Sequence, residues 1–233
     1  MNSITIGVAI PCYKGHIHAL FRLLQSIEQQ TRKPDAVVVS CSSSVSSDCP
    51  YLNHSFSFPL QILFESERKN AAQNRNRAAK ALTTDIISFM DADDMMHPQR
   101  LEIVEYCFKT YPVQIFLHGY HVNASQPFVR YTPPYCVELN RLYRDLYGNT
   151  RHYDVEFSEE TYTLHNGQPS VRKSVFERIQ FDESPQYFGR EDTMFCVRII
   201  TIYPNQTAYS PYRLSLYEPS ASYGEYHHSL GPI

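Results

Sequence analysis

The chain has 233 residues, room for one large domain, and its 21 Lys and Arg against 24 Asp and Glu leave a net charge of −3. That near balance gives no pull toward nucleic acid or an anionic membrane surface, and 42% hydrophobic with 13% aromatic residues exclude a disordered chain. Six cysteines without a CxxC pair offer no zinc-site spacing, so free and mostly buried thiols are expected. No stretch approaches the ~20 apolar residues of a membrane span. The start, MNSITIGVAIPCYK, lacks the basic and apolar regions of a signal peptide, so the expectation is a cytoplasmic protein.

In chain order, Ile4 to Ile10 is a β-branched run of the kind buried on both faces, with Pro11 stopping it. Ile17, Leu20, Leu23, Leu24 and Ile27 recur at helical spacing between His16 and Gln29. After Pro34 and Asp35, Ala36 to Ser40 reads as a second buried strand, which completes a βαβ unit. A Ser-rich loop (Ser42 to Ser47), a strand over Leu60 to Phe64, an Ala-rich helix over Ala71 to Leu82 and a strand over Ile86 to Met90 follow. Pro98 then opens a helix carrying Leu101, Val104 and Phe108. A short strand near Gln114 to Tyr120 precedes residues 123 to 170, rich in Tyr, Pro, Asn and Arg. Helices near Arg172 to Arg178 and Asp192 to Ile202, a strand from Ala208 to Leu216 and a 15-residue tail complete the chain. The pattern is α/β, with a mostly parallel central sheet flanked by helices, and no linker splits it.

In open α/β sheets, ligands bind outside the carboxyl ends of the strands. Three features fall there: Pro11, Cys12 and Tyr13 after the first strand, the Ser-rich loop after the second, and Asp91-Ala92-Asp93-Asp94. Asp91 and Asp93 are two apart, so in extended backbone both converge on one point with Ala92 turned away. Such hard oxygen ligands suit Mg²⁺ or Mn²⁺. The other reading is an acidic turn capping the next helix through Asp94 or His97. Upstream, Arg68, Lys69, Arg75, Arg77 and Lys80 mark a mostly solvated helix face, with Arg75 the exception that serves the site. His118 and His121 read as structural, and a Tyr-rich middle (Tyr131, Tyr135, Tyr143, Tyr147, Tyr153) reads as aromatic packing or an acceptor groove.

The segments IGVAIPCYKG, then NAAQNRNRAAKALTTDIISFMDADD, then FGREDTMF resemble glycosyltransferase family 2 with the GT-A fold. The likeness spans residues 4 to 108 and 164 to 200. It implies a single GT-A domain over 1–233, with a nucleotide-sugar-binding half over 1–110 and an acceptor and catalytic-base half over 111–233. It further implies metal-dependent, inverting transfer of a sugar from a nucleotide-diphosphate donor, a UDP-sugar favoured, to a saccharide or other acceptor hydroxyl. Under this resemblance Asp91 lies by the donor ribose or phosphate, and Asp93 holds Mn²⁺ or Mg²⁺ in an Asp-x-Asp motif. Asp94 supports the loop, and Asp192, beside Glu191, is the general base. Pro11, Tyr13, Ser40, Ser42, Arg75 and His165 are the remaining candidate donor contacts, and His227 a candidate third metal ligand. Glu191-Asp192 also reads as the N-cap of the following helix. One departure stands out: the second strand ends Ser40-Cys41-Ser42-Ser43, where relatives carry an acidic pair for the base or ribose. Nucleotide recognition then falls to hydroxyls, backbone or Asp48. Two other classes fit the pattern: a nucleotidyltransferase-like metal-assisted phosphoryl enzyme, and a non-catalytic binding module of the same fold.

Overall fold

The computed structural model describes residues 3–51, 53–121, 128–140, 167, 169–189 and 191–217. Among these, nine strands form one sheet: β1 (Ile6–Tyr13), β2 (Ala36–Ser42), β3 (Leu60–Glu65), β4 (Ile86–Phe89), β5 (Met95–Met96), β6 (Ile115–His121), β7 (Glu138–Leu139), β8 (Ser170–Arg172) and β9 (Thr207–Leu216). The helices are α1 (Ile17–Glu28), α2 (Ala71–Ala81), α3 (Arg100–Thr110), the single turn α4 (Lys173–Phe176) and α5 (Glu191–Ile202). The strand order is β3-β2-β1-β4-β8-β6-β9-β5, with β7 on β9. From β3 to β4 every pairing is parallel; β8 enters antiparallel between β4 and β6, and β6 and β9 are again parallel.

Both faces of the sheet are covered, which is why its inner strands show no polar alternation. On one face Ile6, Val8, Ile10, Val37 and Val39 pack against Leu20, Leu23, Leu24 and Ile27 of α1 and Leu101, Val104 and Phe108 of α3. On the other, Ala9, Val38, Ile87 and Phe89 meet α2, Val175, Phe176 and the α5 residues Phe195, Ile199 and Ile200. Each fully buried aliphatic side chain of α1 contributes roughly 1.5–3 kcal/mol. Gly7 lets the end of α2 sit against β1: a Cβ there would come within 2.6 Å of both Leu82 and Thr84.

Two expectations change. Pro11 does not stop β1, which continues to Tyr13 and pairs Pro11 with Ser40. Met90 N–H donates to Ala9 O, so Ala9 and, two residues on, Pro11 present their backbone to the β4 side. β4 ends at Phe89, so no ladder bond is lost where proline lacks its N–H. The helix expected near Arg172–Arg178 is present but short, one turn over Lys173–Phe176, and is preceded by strand β8, in which Val171 and Ser170 pair with β4 on one side and β6 on the other. From the Tyr-rich middle, Tyr131 stacks on Tyr212 at 3.8 Å and on His97 at 5.2 Å, and Tyr135 hydrogen-bonds Glu102. These two rings pack the chain onto α3 and β9. Tyr143, Tyr147 and Tyr153 lie outside the described residues.

Candidate active site

Strand β1 lies between β2 and β4, the point where the sheet order reverses, and the carboxyl ends of β1 and β4 flank the crevice that results. From β1 comes Tyr13, and from β4 the turn Asp91–Asp94, closed by Asp94 N–H to Asp91 O at 3.2 Å. Alternation along the turn buries Ala92 and Asp94 and leaves the Asp91 and Asp93 carboxylates partly exposed, about 22% and 18%. Asp93 is held from α1 and its N-cap: Arg22 donates to its backbone carbonyl at 2.8 Å, and His16 Nε2 lies 3.7 Å from Oδ2. His16 also packs its ring 4.4 Å from that of Tyr13. Gly15 makes room for this, since a Cβ there would lie 2.5 Å from the Tyr13 ring. His97 receives Gln99 N–H on Nδ1 and donates from Nε2 to Val129 O, so it caps the entry to α3.

Helix α2 is positioned by a capping box, in which Asn70 accepts from Gln73 N–H while Gln73 accepts from Asn70 N–H. Four successive side chains then reach four different places. Asn74 binds Ser40 and Ser42, Asn76 binds Phe181 and Glu183, and Arg77 donates to the Leu63 and Phe64 carbonyls at 3.0 Å. Arg75, buried, spans the crevice floor: Nη1 donates to Glu191 Oε1 at 2.6 Å and Nη2 to Asp91 Oδ1 at 3.2 Å. Burial opposes its charge, but Asp91 and Glu191 outweigh burial and raise its pKa. Asp192 starts α5 beside Glu191, with Thr193 N–H donating to its Oδ1 at 2.6 Å. Desolvation, reinforced by Glu191 and Asp91 and opposed by Arg75, lifts the Asp192 carboxyl to about 7. A carboxyl titrating near neutrality can take a proton at physiological pH far better than an ordinary one.

The structure thus brings Arg75, Asp91, Asp93, Glu191 and Asp192 into one crevice bordered by Tyr13. Pro11 is buried within β1. Ser40 and Ser42 are fully buried and their hydroxyls are engaged with Asn74, so they hold α2 to β2 and are closed to a ligand. Arg75 likewise spends its fork on two carboxylates, which makes it a bridge between the two halves of the crevice instead of a phosphate contact. Asp48 pairs with Lys14 at 2.8 Å. His165 and His227 lie outside the described residues. Two carboxylates on one turn fit a hard divalent cation that draws its other ligands from a diphosphate. Among the described residues no group of three or more His, Cys, Asp or Glu forms a complete metal cage.

Sequence reasoning did not single out His16, Arg22 or Arg100. Arg100 is fully buried beneath the acidic turn, donating to Phe89 O at 2.8 Å, Ser88 Oγ at 3.1 Å and Gly167 O at 2.6 Å. It fixes the last residues of β4 and ties them to the segment that leads into β8. Burial lowers its pKa to about 9, with Asp94 acting against that. An arginine two residues after a helix-opening proline carries no sequence signal of burial.

Comparison with known proteins gives a consistent picture. The family model for Glycosyl transferase family 2 matches residues 7–179. An uncharacterized glycosyltransferase of Haemophilus influenzae is 25% identical over 217 residues, 90% of this chain; the chain spans 65% of that relative's length. Among solved structures, S. aureus TarS 1-349 in complex with UDP-GlcNAc superposes with a TM-score of 0.71 at 18% identity, covering 99% of this chain and 62% of that one. The mannosyltransferase PcManGT from Pyrobaculum calidifontis, in complex with GDP-Man and Mn2+, gives 0.59 at 17% identity over 91% of this chain and 58% of that one. At these identities the structures show a shared fold.

Proposed function

The chain belongs to glycosyl transferase family 2, and from that premise we propose that it transfers a sugar, with inversion, from a nucleotide-diphosphate donor to an acceptor hydroxyl. The observation that carries the reading is the joining, through Arg75, of the Asp91–Asp93 turn to a base-tuned Asp192 in one crevice. Asp192 takes the acceptor proton as the oxygen attacks the anomeric carbon, and the sugar leaves the nucleoside diphosphate from the opposite face. Asp91 and Asp93 would hold Mn²⁺ or Mg²⁺, which supplies neutralising charge for the departing diphosphate. Tyr13, packed at a tilt against His16, offers a ring face to the donor nucleotide. A UDP-sugar is the favoured donor, in keeping with the UDP-GlcNAc complex of TarS. A saccharide hydroxyl is the proposed acceptor. No helix among the described residues is long and apolar enough to cross a membrane.

The test is calorimetric titration of UDP, GDP and their sugars with Mn²⁺ or with EDTA, on the wild type and on Asp93→Ala. Metal-dependent binding of one nucleotide, lost in the variant, is expected, together with release of nucleoside diphosphate on turnover. Consumption of a triphosphate with release of pyrophosphate would instead establish phosphoryl chemistry. Absence of all nucleotide binding would leave a binding module of the same fold.

A further inference from the structure

Three of the six cysteines gather at and beyond the carboxyl ends of β1 and β2. Cys12 and Cys41 are direct partners in the β1–β2 register, and both side chains enter the core on the α1 face. Cys49 follows the turn Ser46–Asp48, and burial, together with all three thiols, pushes the Tyr51 phenol up. Tyr51 donates to Ile17 O at 2.6 Å, which fixes this wall of the cluster. Neighbouring strands lie about 4.8 Å apart, inside the ~4.4–6.8 Å that separates the Cα atoms of a disulfide. The Cys12 thiol donates to Tyr13 O at 3.4 Å, and the two thiols influence each other's ionisation.

We propose that Cys12 and Cys41 are an oxidisable dithiol, a modification site at which a peroxide converts the pair into a cross-strand disulfide. The neighbouring Cys12, helped by Ser44, brings the Cys41 thiol down to about 7 despite burial, whereas Cys41 and burial push Cys12 up. Cys41 is therefore the attacking thiolate. Its sulfur attacks one peroxide oxygen, the O–O bond breaks, and the departing hydroxide is protonated to water. The sulfur of Cys12 then attacks the sulfenic sulfur of Cys41, the S–O bond breaks and a second water leaves. Two thiols give up two electrons and two protons, and the peroxide is reduced to two waters.

Access to the buried pair runs through the turn that follows Cys41. Ser43 sits at φ 53°, and the turn is anchored by Ser43 N–H to Glu67 O, Ser44 N–H to Glu65 O and the solvent-exposed Lys14–Asp48 ion pair. Opening of this turn is the step that admits the peroxide, and the exposed ion pair contributes little against it. The bridge has a consequence that rests on the glycosyltransferase reading. Cys12 immediately precedes Tyr13, so drawing the two strand ends together moves the Tyr13 ring and weakens nucleotide binding.

The experiment uses the full chain carrying Cys136→Ser, which removes the one cysteine exposed among the described residues. It is treated with hydrogen peroxide, alkylated and mapped by mass spectrometry. A linked Cys12–Cys41 peptide is expected, with loss of two alkylatable thiols, return of both on reduction, and absence of the link in Cys41→Ala. The Cys49→Ala variant keeps it. A bridge through Cys49, oxidation that stops at a single sulfinic acid, or retention of all five alkylatable thiols would overturn the assignment. UDP affinity should fall about tenfold or more on oxidation, equivalent to ~1.4 kcal/mol, and recover on reduction. A mapped bridge with unchanged UDP affinity would overturn the link to Tyr13. Failure of the reduced protein to bind UDP would count against the glycosyltransferase reading, and the peptide map would still decide the dithiol.

Discussion

Replacing Asp192 with Asn tests the base assignment and its electrostatic origin together. In the folded protein the carboxyl titrates at about 7, against roughly 4 in an unfolded chain. At 1.36 kcal/mol per tenfold change in acidity, ionising it in place costs up to ~4 kcal/mol. Partial exposure of the side chain reduces this to roughly 1–2 kcal/mol. Because the folded value is the higher one, the favourable contribution is complete below pH 4 and is lost as pH rises through 7. Asn cannot ionise, so its advantage in melting temperature over the wild type should grow from pH 5 to pH 8. At ~2–4 °C per kcal/mol for a chain of this size, the growth is about 2–8 °C. In the transfer assay the variant should lose roughly 10²–10⁴-fold in kcat while binding the donor as before. Wild-type kcat/KM should climb through pH 7. A melting-temperature gap that stays flat across this range, or a rate already at its plateau at pH 5, would refute the reasoning.

Three further outcomes follow from the same geometry. Arg75→Met strands Glu191 and Asp91 without their shared cation; a broken buried pair costs about 3–5 kcal/mol, read as a lower melting temperature. The same change removes the cation that holds Asp192 down, so the base limb of any residual pH–rate profile moves upward. Gly15→Ala drives a methyl against the Tyr13 ring; calorimetry should show weaker UDP binding, while stability changes by less than about 1 kcal/mol. Arg100→Met leaves the Phe89 and Gly167 carbonyls without their donor, at roughly 2–4 kcal/mol by denaturant titration.

The first half of the fold was legible because its strands are continuous apolar runs punctuated by proline and aspartate, and because Ala, Leu and Ile positions on α1 and α2 hold helical period. What was not legible depended on distant partners. The passage of β1 through Pro11 is decided by where β4 ends. Strand β8 is three residues long and exists because β4 and β6 lie on either side of it. At the site, the acidic turn and the Glu191-Asp192 pair stood out by their spacing and family likeness. The engagement of Ser40 and Ser42 by Asn74, and of Arg77 by β3 carbonyls, could not be read from residue types that equally suit a ligand or solvent.

The division of roles between Glu191 and Asp192 follows from where one cation is spent. Arg75 has a two-pronged fork and three carboxyls around it, those of Asp91, Glu191 and Asp192. The prongs go to Asp91 and to Glu191, 116 positions away along the chain. Asp192 receives the field of the guanidinium but not its hydrogen bonds, and it feels the negative charge of the other two. It is therefore the carboxyl on which a proton is most easily held near neutral pH, and from which a base is regenerated without breaking the bridge. Glu191 fixes the start of α5 against α2, and Asp91 fixes the acidic turn against the same helix. One arginine thus sets the distance between the turn that would hold the diphosphate and the carboxyl that would take the acceptor proton.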